Sequence, residues 1–207
     1  MEQFKVTRLQ PTQAQHAGAL FAASHGEYPG FCHVFDDDRT RRRVLRTFMA
    51  ATAGDAARYG HPLAAVDGDD LLGVALWMPP GSFPLSAMRQ VRMTPALIRV
   101  MLLAPWSMRN FARLGTGLAK THPDETAWYL QAMGVHPKAQ RRGVGRRLIT
   151  AGVAAADQAD MPCYLQTSDP ANVDYYHRYG FEVVQHEIYG YPGGHPYIGM
   201  RRKPRVS

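Results

Sequence analysis

Apolar and polar residues change period several times along this chain, and the changes mark out its elements. Phe4 to Leu9 alternate as a half-buried strand does. Pro11-Thr12 then opens a stretch with Ala14, Ala17, Leu20 and Phe21 at helical spacing. After a break at Tyr28-Pro29-Gly30, three acids, Asp36 to Asp38, stand at a helix start, where the macrodipole favours negative charge. That helix runs to about Tyr59 with Val44, Leu45, Phe48 and Met49 as its apolar face, and Arg39, Arg41, Arg42, Arg43 and Arg46 read as a solvated face. Leu63 to Val66 and Leu71 to Met78 flank Asp67-Gly68-Asp69-Asp70, the composition of a hairpin turn. Beyond it, Pro84, Pro95, Pro105, Gly115 and Gly117 interrupt short helical patterns, which read as a helical insertion over about 82–121.

From Ala127 the signals sharpen. Strands are expected at Trp128 to Val135, Cys163 to Thr167, Phe181 to Ile188 and Tyr197 to Arg201, and helices at Val144 to Gln158 and Asn172 to Tyr179. This order predicts an α/β domain over 1–207 with a mixed central sheet and at least one parallel crossover. A chain of 207 residues suits one core better than two.

Composition narrows the function. Hydrophobic residues at 45% and charged residues at 20% are those of a globular protein. Twenty-four Lys and Arg against seventeen Asp and Glu give +7, which suits an anionic partner, small phosphates as well as polyanions. Cys32 and Cys163 stand far apart with no CxxC pair, so neither a zinc site nor a disulfide framework is indicated and a reducing cytoplasm is expected. The nine histidines show no metal-ligand spacing. Met1-Glu2-Gln3-Phe4-Lys5 lacks the run of a signal peptide, and the most apolar stretch, Pro95 to Pro105, is cut by Arg99 and reads as a short amphipathic helix.

Candidate chemistry concentrates between the strand at Trp128 and the helix at Val144. Gln140-Arg141-Arg142-Gly143-Val144-Gly145 places two glycines at a helix start, where free N–H groups and a close backbone approach suit a phosphate. Arg141, Arg142, Arg146 and Arg147 add positive charge. The loop lacks the Gly-Lys-Ser/Thr of a P-loop and the third glycine of a dinucleotide fingerprint. Gly134, inside an apolar strand, reads as a bulge that would free backbone groups of Met133, Gly134 and Val135 for an elongated amide-bearing ligand such as pantetheine.

Gly134-Val135-His136-Pro137 with Gln140 to Gly145 resembles the acetyl-CoA signature of the GNAT superfamily of N-acetyltransferases. Thr167 to Asn172 and Tyr175-Tyr176-His177-Arg178-Tyr179-Gly180-Phe181 are similar to its downstream Asn and Tyr-x-x-x-Gly-Phe segment. Within it, Glu27-Tyr28-Pro29, Ala127 to Leu130 and Leu165 to Ser168 are most similar to the puromycin N-acetyltransferase group. The resemblance implies a GNAT fold with the central sheet splayed at a bulge in the fourth strand, acetyl-CoA as co-substrate, and direct transfer to an amine in a ternary complex. It also implies Tyr176 as general acid and Tyr28 in the acceptor site. Gln166 stands where those relatives carry glutamate, which removes a charged contact to the acceptor.

The expected cofactor residues are therefore Met133, Gly134, Val135, Gln140, Arg141, Arg142, Gly143, Val144, Gly145, Arg146, Asn172 and Tyr176. The expected catalytic residues are Tyr176, Tyr28 and Glu27, the last two as candidate bases, with no metal. The acceptor is expected to be a small-molecule amine, with neither membrane nor nucleic acid as partner and a monomeric or homodimeric state. Acetylation of a protein or aminoacyl-tRNA, or a non-catalytic acyl-CoA-binding module, are the alternatives.

Overall fold

The alternating segment after Phe4 becomes an edge strand, β1 (Lys5–Arg8). A single 3₁₀ turn at Pro11–Gln13 leads into α1 (Ala14–Ser24). The computed structural model describes residues 4–122 and 126–205; Met1 to Gln3, where no signal-peptide run is expected, lie outside the described residues. Pro29-Gly30 is a helix start rather than a break: α2 (Pro29–Val34) begins with proline in its first turn, where a missing N–H costs nothing. α3 (Asp38–Tyr59) is capped by Asp37, whose carboxylate accepts from the Thr40 N–H at 2.7 Å.

β2 (His61–Asp67) and β3 (Asp70–Met78) form the expected hairpin. The insertion holds two regular helices, α4 (Ala87–Leu103) and α5 (Met108–Lys120), so Pro95, Gly115 and Gly117 do not break it as expected. Pro95 is exposed while Arg89, Met93 and Val100 anchor α4 on its other face, so tertiary packing offsets the lost hydrogen bond. Gly117 is needed for contact, since a Cβ there would strike Gly190.

The remaining elements are β4 (Trp128–Val135), α6 (Val144–Gln158), β5 (Cys163–Thr167), α7 (Ala171–His177), β6 (Glu182–Tyr189) and β7 (Pro196–Arg202). They complete a seven-stranded mixed sheet of order β1-β2-β3-β4-β5-β7-β6, in which β4 and β5 are parallel and every other pair antiparallel. One face packs Trp77, Leu130, Leu165 and Met200 against Leu148, Ile149 and Tyr176 of α6 and α7. The other packs Leu76, Met78, Tyr129 and Tyr164 against Phe21, Leu45 and Met49 of α1 and α3.

The bulge lies in the fourth strand, as expected, but not at Gly134. Leu76 pairs with Ala132 and Trp77 with Leu130, so Gln131 is the extra residue, while Gly134 stays in register with Val74. Glycine at 134 serves a close approach instead: a Cβ would lie 2.6 Å from Ser24 Oγ and 3.1 Å from the Phe21 ring, so α1 ends directly on β4.

Candidate active site

β4 and β5 pair only from Trp128–Cys163 to Leu130–Leu165, yet β4 continues to Val135 and β5 to Thr167. The sheet therefore opens into a V just past the Gln131 bulge, and strand backbone between 131 and 135 loses its neighbour on that side. Gln131 also carries a buried side-chain oxygen with no hydrogen-bond partner, an acceptor the sequence did not single out.

The glycine loop lies at the mouth of this V. Arg141 adopts φ 60° and Gly143, the N-cap of α6, φ 79°; a left-handed arginine is strained and helps turn successive N–H groups outward. No side chain caps α6, so the first amides of the helix are left for an external acceptor. Gly145 has Tyr175 Oη at 2.8 Å and Val135 Cγ2 at 3.6 Å from any added Cβ, which keeps this turn bare. Arg141, Arg142 and Arg146 are exposed beside it. Arg147 is not part of this group: its guanidinium donates to the Phe4 carbonyl at 2.8 Å and lies 4.6 Å over the Phe4 ring.

Opposite the loop, the turn between α1 and α2 crosses the end of β5. Tyr28 Oη accepts from the Ser168 N–H at 3.0 Å and shares a 2.6 Å hydrogen bond with Thr167 Oγ1, which also accepts from Asn172 Nδ2 at 3.2 Å. The Gly30 N–H donates to Ser168 Oγ at 3.0 Å, and His195 Nε2 donates to the Ser168 carbonyl at 2.9 Å. Burial pushes the Tyr28 phenol above its ordinary range, against the pull of its hydrogen bonds from Thr167 and Ser168.

Arginines of α3 hold this turn. Arg41, expected in solvent, is buried and donates to the carbonyls of Gly26, Phe35 and Asp36 and to Asp38. Arg42 binds Glu27 at 2.7 Å and the Asp38 carboxylate at 2.9 Å. Glu27, expected as a base, has a carboxylate that is 78% exposed and paired with Arg42.

His25 occupies the inner side of the same turn. Its Nδ1 is 2.9 Å from Ser24 Oγ and its ring centroid 5.2 Å from that of Tyr28; burial lowers its pKa to about 4, so the ring is neutral at pH 7. Tyr176 lies on the opposite face, 8% exposed, packed edge-on to Tyr175 and Phe181. Its hydroxyl has no hydrogen bond among the described residues. Burial raises its pKa, and Tyr28 and Tyr175 add to the effect.

Over the paired part of β4 and β5, rings from the insertion and its end pack on rings of the sheet. Phe83, His122 and Tyr129 lie within 4.7–5.2 Å of one another, and Tyr164 is 5.3 Å from His122. Gln166 Nε2 donates to Thr121 Oγ1 at 3.1 Å, which ties the end of α5 to β5. Cys163 is buried and its pKa is pushed up to about 12, which keeps it a thiol.

Residues 109–183 match the model of the acetyltransferase (GNAT) domain family. An uncharacterised N-acetyltransferase of Schizosaccharomyces pombe is 26% identical over 166 residues, 76% of this chain and 64% of that protein, so the alignment spans less than two thirds of the relative. The fold aligns over 100% of this chain with a structure from Corynebacterium glutamicum described as histone acetyltransferase HPA2 and related acetyltransferase, with TM-score 0.73, 21% identity and 99% of that chain. It also aligns over 98% of this chain and 99% of the PaiA N-acetyltransferase of Thermoplasma acidophilum in complex with coenzyme A, with TM-score 0.60 and 10% identity. The seven-stranded sheet parted at β4 and β5 is the fold of GNAT acetyltransferase structures.

Proposed function

We propose that this chain is a single-domain N-acetyltransferase that moves an acetyl group from acetyl-CoA directly to a primary amine of a small molecule. The observation that carries the reading is the V between β4 and β5 with an uncapped, glycine-built helix start at its mouth. In this reading the pyrophosphate of the cofactor rests on the amides of Gly143, Val144 and Gly145, with Arg141, Arg142 and Arg146 around it and Gln140 closing the loop. Pantetheine amides take the free edge of Met133, Gly134 and Val135, and Asn172 holds the thiol end through Thr167.

The amine attacks the thioester carbonyl, whose oxygen is stabilised by an N–H near Val135. The C–N bond forms, the C–S bond breaks, and Tyr176 gives its proton to the departing thiolate. Burial keeps the Tyr176 hydroxyl protonated at neutral pH, so the proton is present, although the raised pKa makes the phenol a weaker acid than it is in water. Tyr28 is already saturated by Ser168 and Thr167, so we assign it to positioning the acceptor; the amine proton passes to water, because His25, its pKa lowered to about 4 by burial, is too weak a base to hold it.

The aromatic cluster of Phe83, His122 and Tyr129 beside this site suits a small acceptor with an aromatic part. A thiol-release assay with acetyl-CoA and a panel of arylalkyl and nucleoside amines, peptides and aminoacyl-tRNA tests this. Turnover confined to peptides or tRNA refutes the acceptor, and no coenzyme A binding by calorimetry refutes the cofactor.

A further inference from the structure

From Ser82 to His122 the chain contains no Asp or Glu and six Lys or Arg. Only Arg89 of these is neutralised, buried against Asp55; Arg92, Arg99, Arg109, Arg113 and Lys120 are exposed and form no ion pair among the described residues. On α4 the outward residues recur at spacings of three and four: Met88, Val91, Pro95, Ile98 and Leu102, directly opposite the buried Met93 and Val100. Met88, Val91 and Leu102 are 66%, 69% and 74% exposed, and Trp106, at the corner between α4 and α5, is 95% exposed. A helix apolar on its outer as well as its inner face has a second contact to make.

The charges say what covers it. Arg92 and Arg99 run along one flank of the crest, and Arg99 joins Arg43 and Arg46 of α3 around a recess of about 440 Å³ floored by Leu102 and Leu103. A second copy would bring no carboxylate from this segment to meet those arginines. An anionic lipid leaflet matches every part: acyl boundary for the crest, phosphate and carboxylate headgroups for the arginines, and the interfacial level for an exposed tryptophan. The crest from Met88 to Leu102 is about 21 Å long at 1.5 Å per residue, enough to lie in the interface plane. No helix among the described residues is long and apolar enough to cross a membrane, and docking of this kind needs none.

We propose that α4 and the Trp106 corner form a peripheral docking face for anionic membranes. The proposal stands apart from the acetyl-transfer reading, because the face lies on the insertion and uses none of the residues assigned to the active site.

The test is flotation of the full chain with vesicles of phosphatidylcholine alone or with about one-third phosphatidylserine, at low and physiological salt. Trp106 reports in parallel, since Trp77 and Trp128 are buried. Binding to the anionic vesicles only, with a blue shift of Trp106 emission, is expected. Arg92→Gln with Arg99→Gln should lower partition roughly 25-fold, about fivefold per cation near a charged leaflet. Ile98→Asp, an exposed change that circular dichroism should show to be folded, should abolish the blue shift. The proposal is overturned by absence of binding at low salt, by equal binding of the wild type and both variants, or by unchanged Trp106 emission on flotation. Self-association that Ile98→Asp abolishes without any vesicle binding would assign the face to a second copy instead.

Discussion

Replacing Tyr176 with phenylalanine separates chemistry from packing, because the structure gives its hydroxyl no partner. The ring keeps its edge contacts to Tyr175 and Phe181, at centroid distances of 5.3 and 5.9 Å. Deleting an unpaired hydroxyl from a site only 8% exposed strands no donor or acceptor, so stability should change by less than about 1 kcal/mol. Activity should change far more. Loss of a general acid lowers the rate by roughly 10² to 10⁴, which is about 2.7 to 5.4 kcal/mol in the barrier. Because the proton is given only as the thiolate leaves, kcat and kcat/KM should fall together while KM for acetyl-CoA stays within about twofold. Since burial holds the phenol's pKa above its usual value, the wild-type rate should show no loss from deprotonation of Tyr176 up to about pH 10. Steady-state thiol release for wild type, Tyr176→Phe and the control Tyr179→Phe, alongside thermal melts, decides it. Near-normal kcat in Tyr176→Phe, or a loss of activity matched by an equal loss of stability, would show that Tyr176 only packs.

Three further outcomes are expected. Gly145→Val drives a side chain toward Tyr175 Oη, 2.8 Å from the Cβ position, and should weaken coenzyme A binding at least about tenfold by calorimetry with the protein still folded; unchanged affinity would move the phosphates elsewhere. Asp55→Ala leaves the Arg89 guanidinium buried and unpaired, costing about 3–5 kcal/mol and lowering Tm by roughly 6–20 °C; a shift below about 2 °C would contradict the pairing. His25 has its pKa lowered to about 4 on folding, so its contribution to stability is complete above about pH 6.5 and is lost as pH falls toward 4. That loss is at most about 3 kcal/mol, less where water reaches the half-buried ring, and His25→Gln should flatten this part of the denaturant-stability profile.

The cofactor half of the site was legible because it is local. Strand, loop and helix from Trp128 to Gln158 fall at the expected residues, since a nearly continuous apolar run, two glycines and a long apolar periodicity agree there. Gly134 reads as the bulge in the sequence, but it stays in register and serves the close approach of α1. A bulge is a mismatch between two strands, and its residue, Gln131, depends on the register of β3, which β4 alone does not encode. Pro95 misled for a related reason, because the packing of Met93 and Val100 that carries α4 past it comes from α3.

The acceptor half was assembled from afar and could not be read in one window. Tyr28 reaches Thr167 and Ser168 across 139 and 140 positions, and the turn that presents it is fixed by Arg41 and Arg42, which composition marks only as part of a basic run. Glu27 and Tyr28 are neighbours in sequence yet point to opposite sides of that turn, one into the Arg42 ion pair and the other into the β5 network. A side chain's chemistry therefore follows from which surface the turn presents, not from adjacency. The same clamp has a functional consequence: strain at Arg41 would reach Tyr28 through Gly26 without touching the cofactor loop. A mutation there should separate the two halves, lowering acceptor turnover while leaving coenzyme A affinity in place. If Arg41→Lys, which keeps the charge but cannot reproduce the planar fork of donors to Gly26 and Phe35, instead changed coenzyme A affinity as much as acceptor KM, the division of the site into two separately held halves would be wrong.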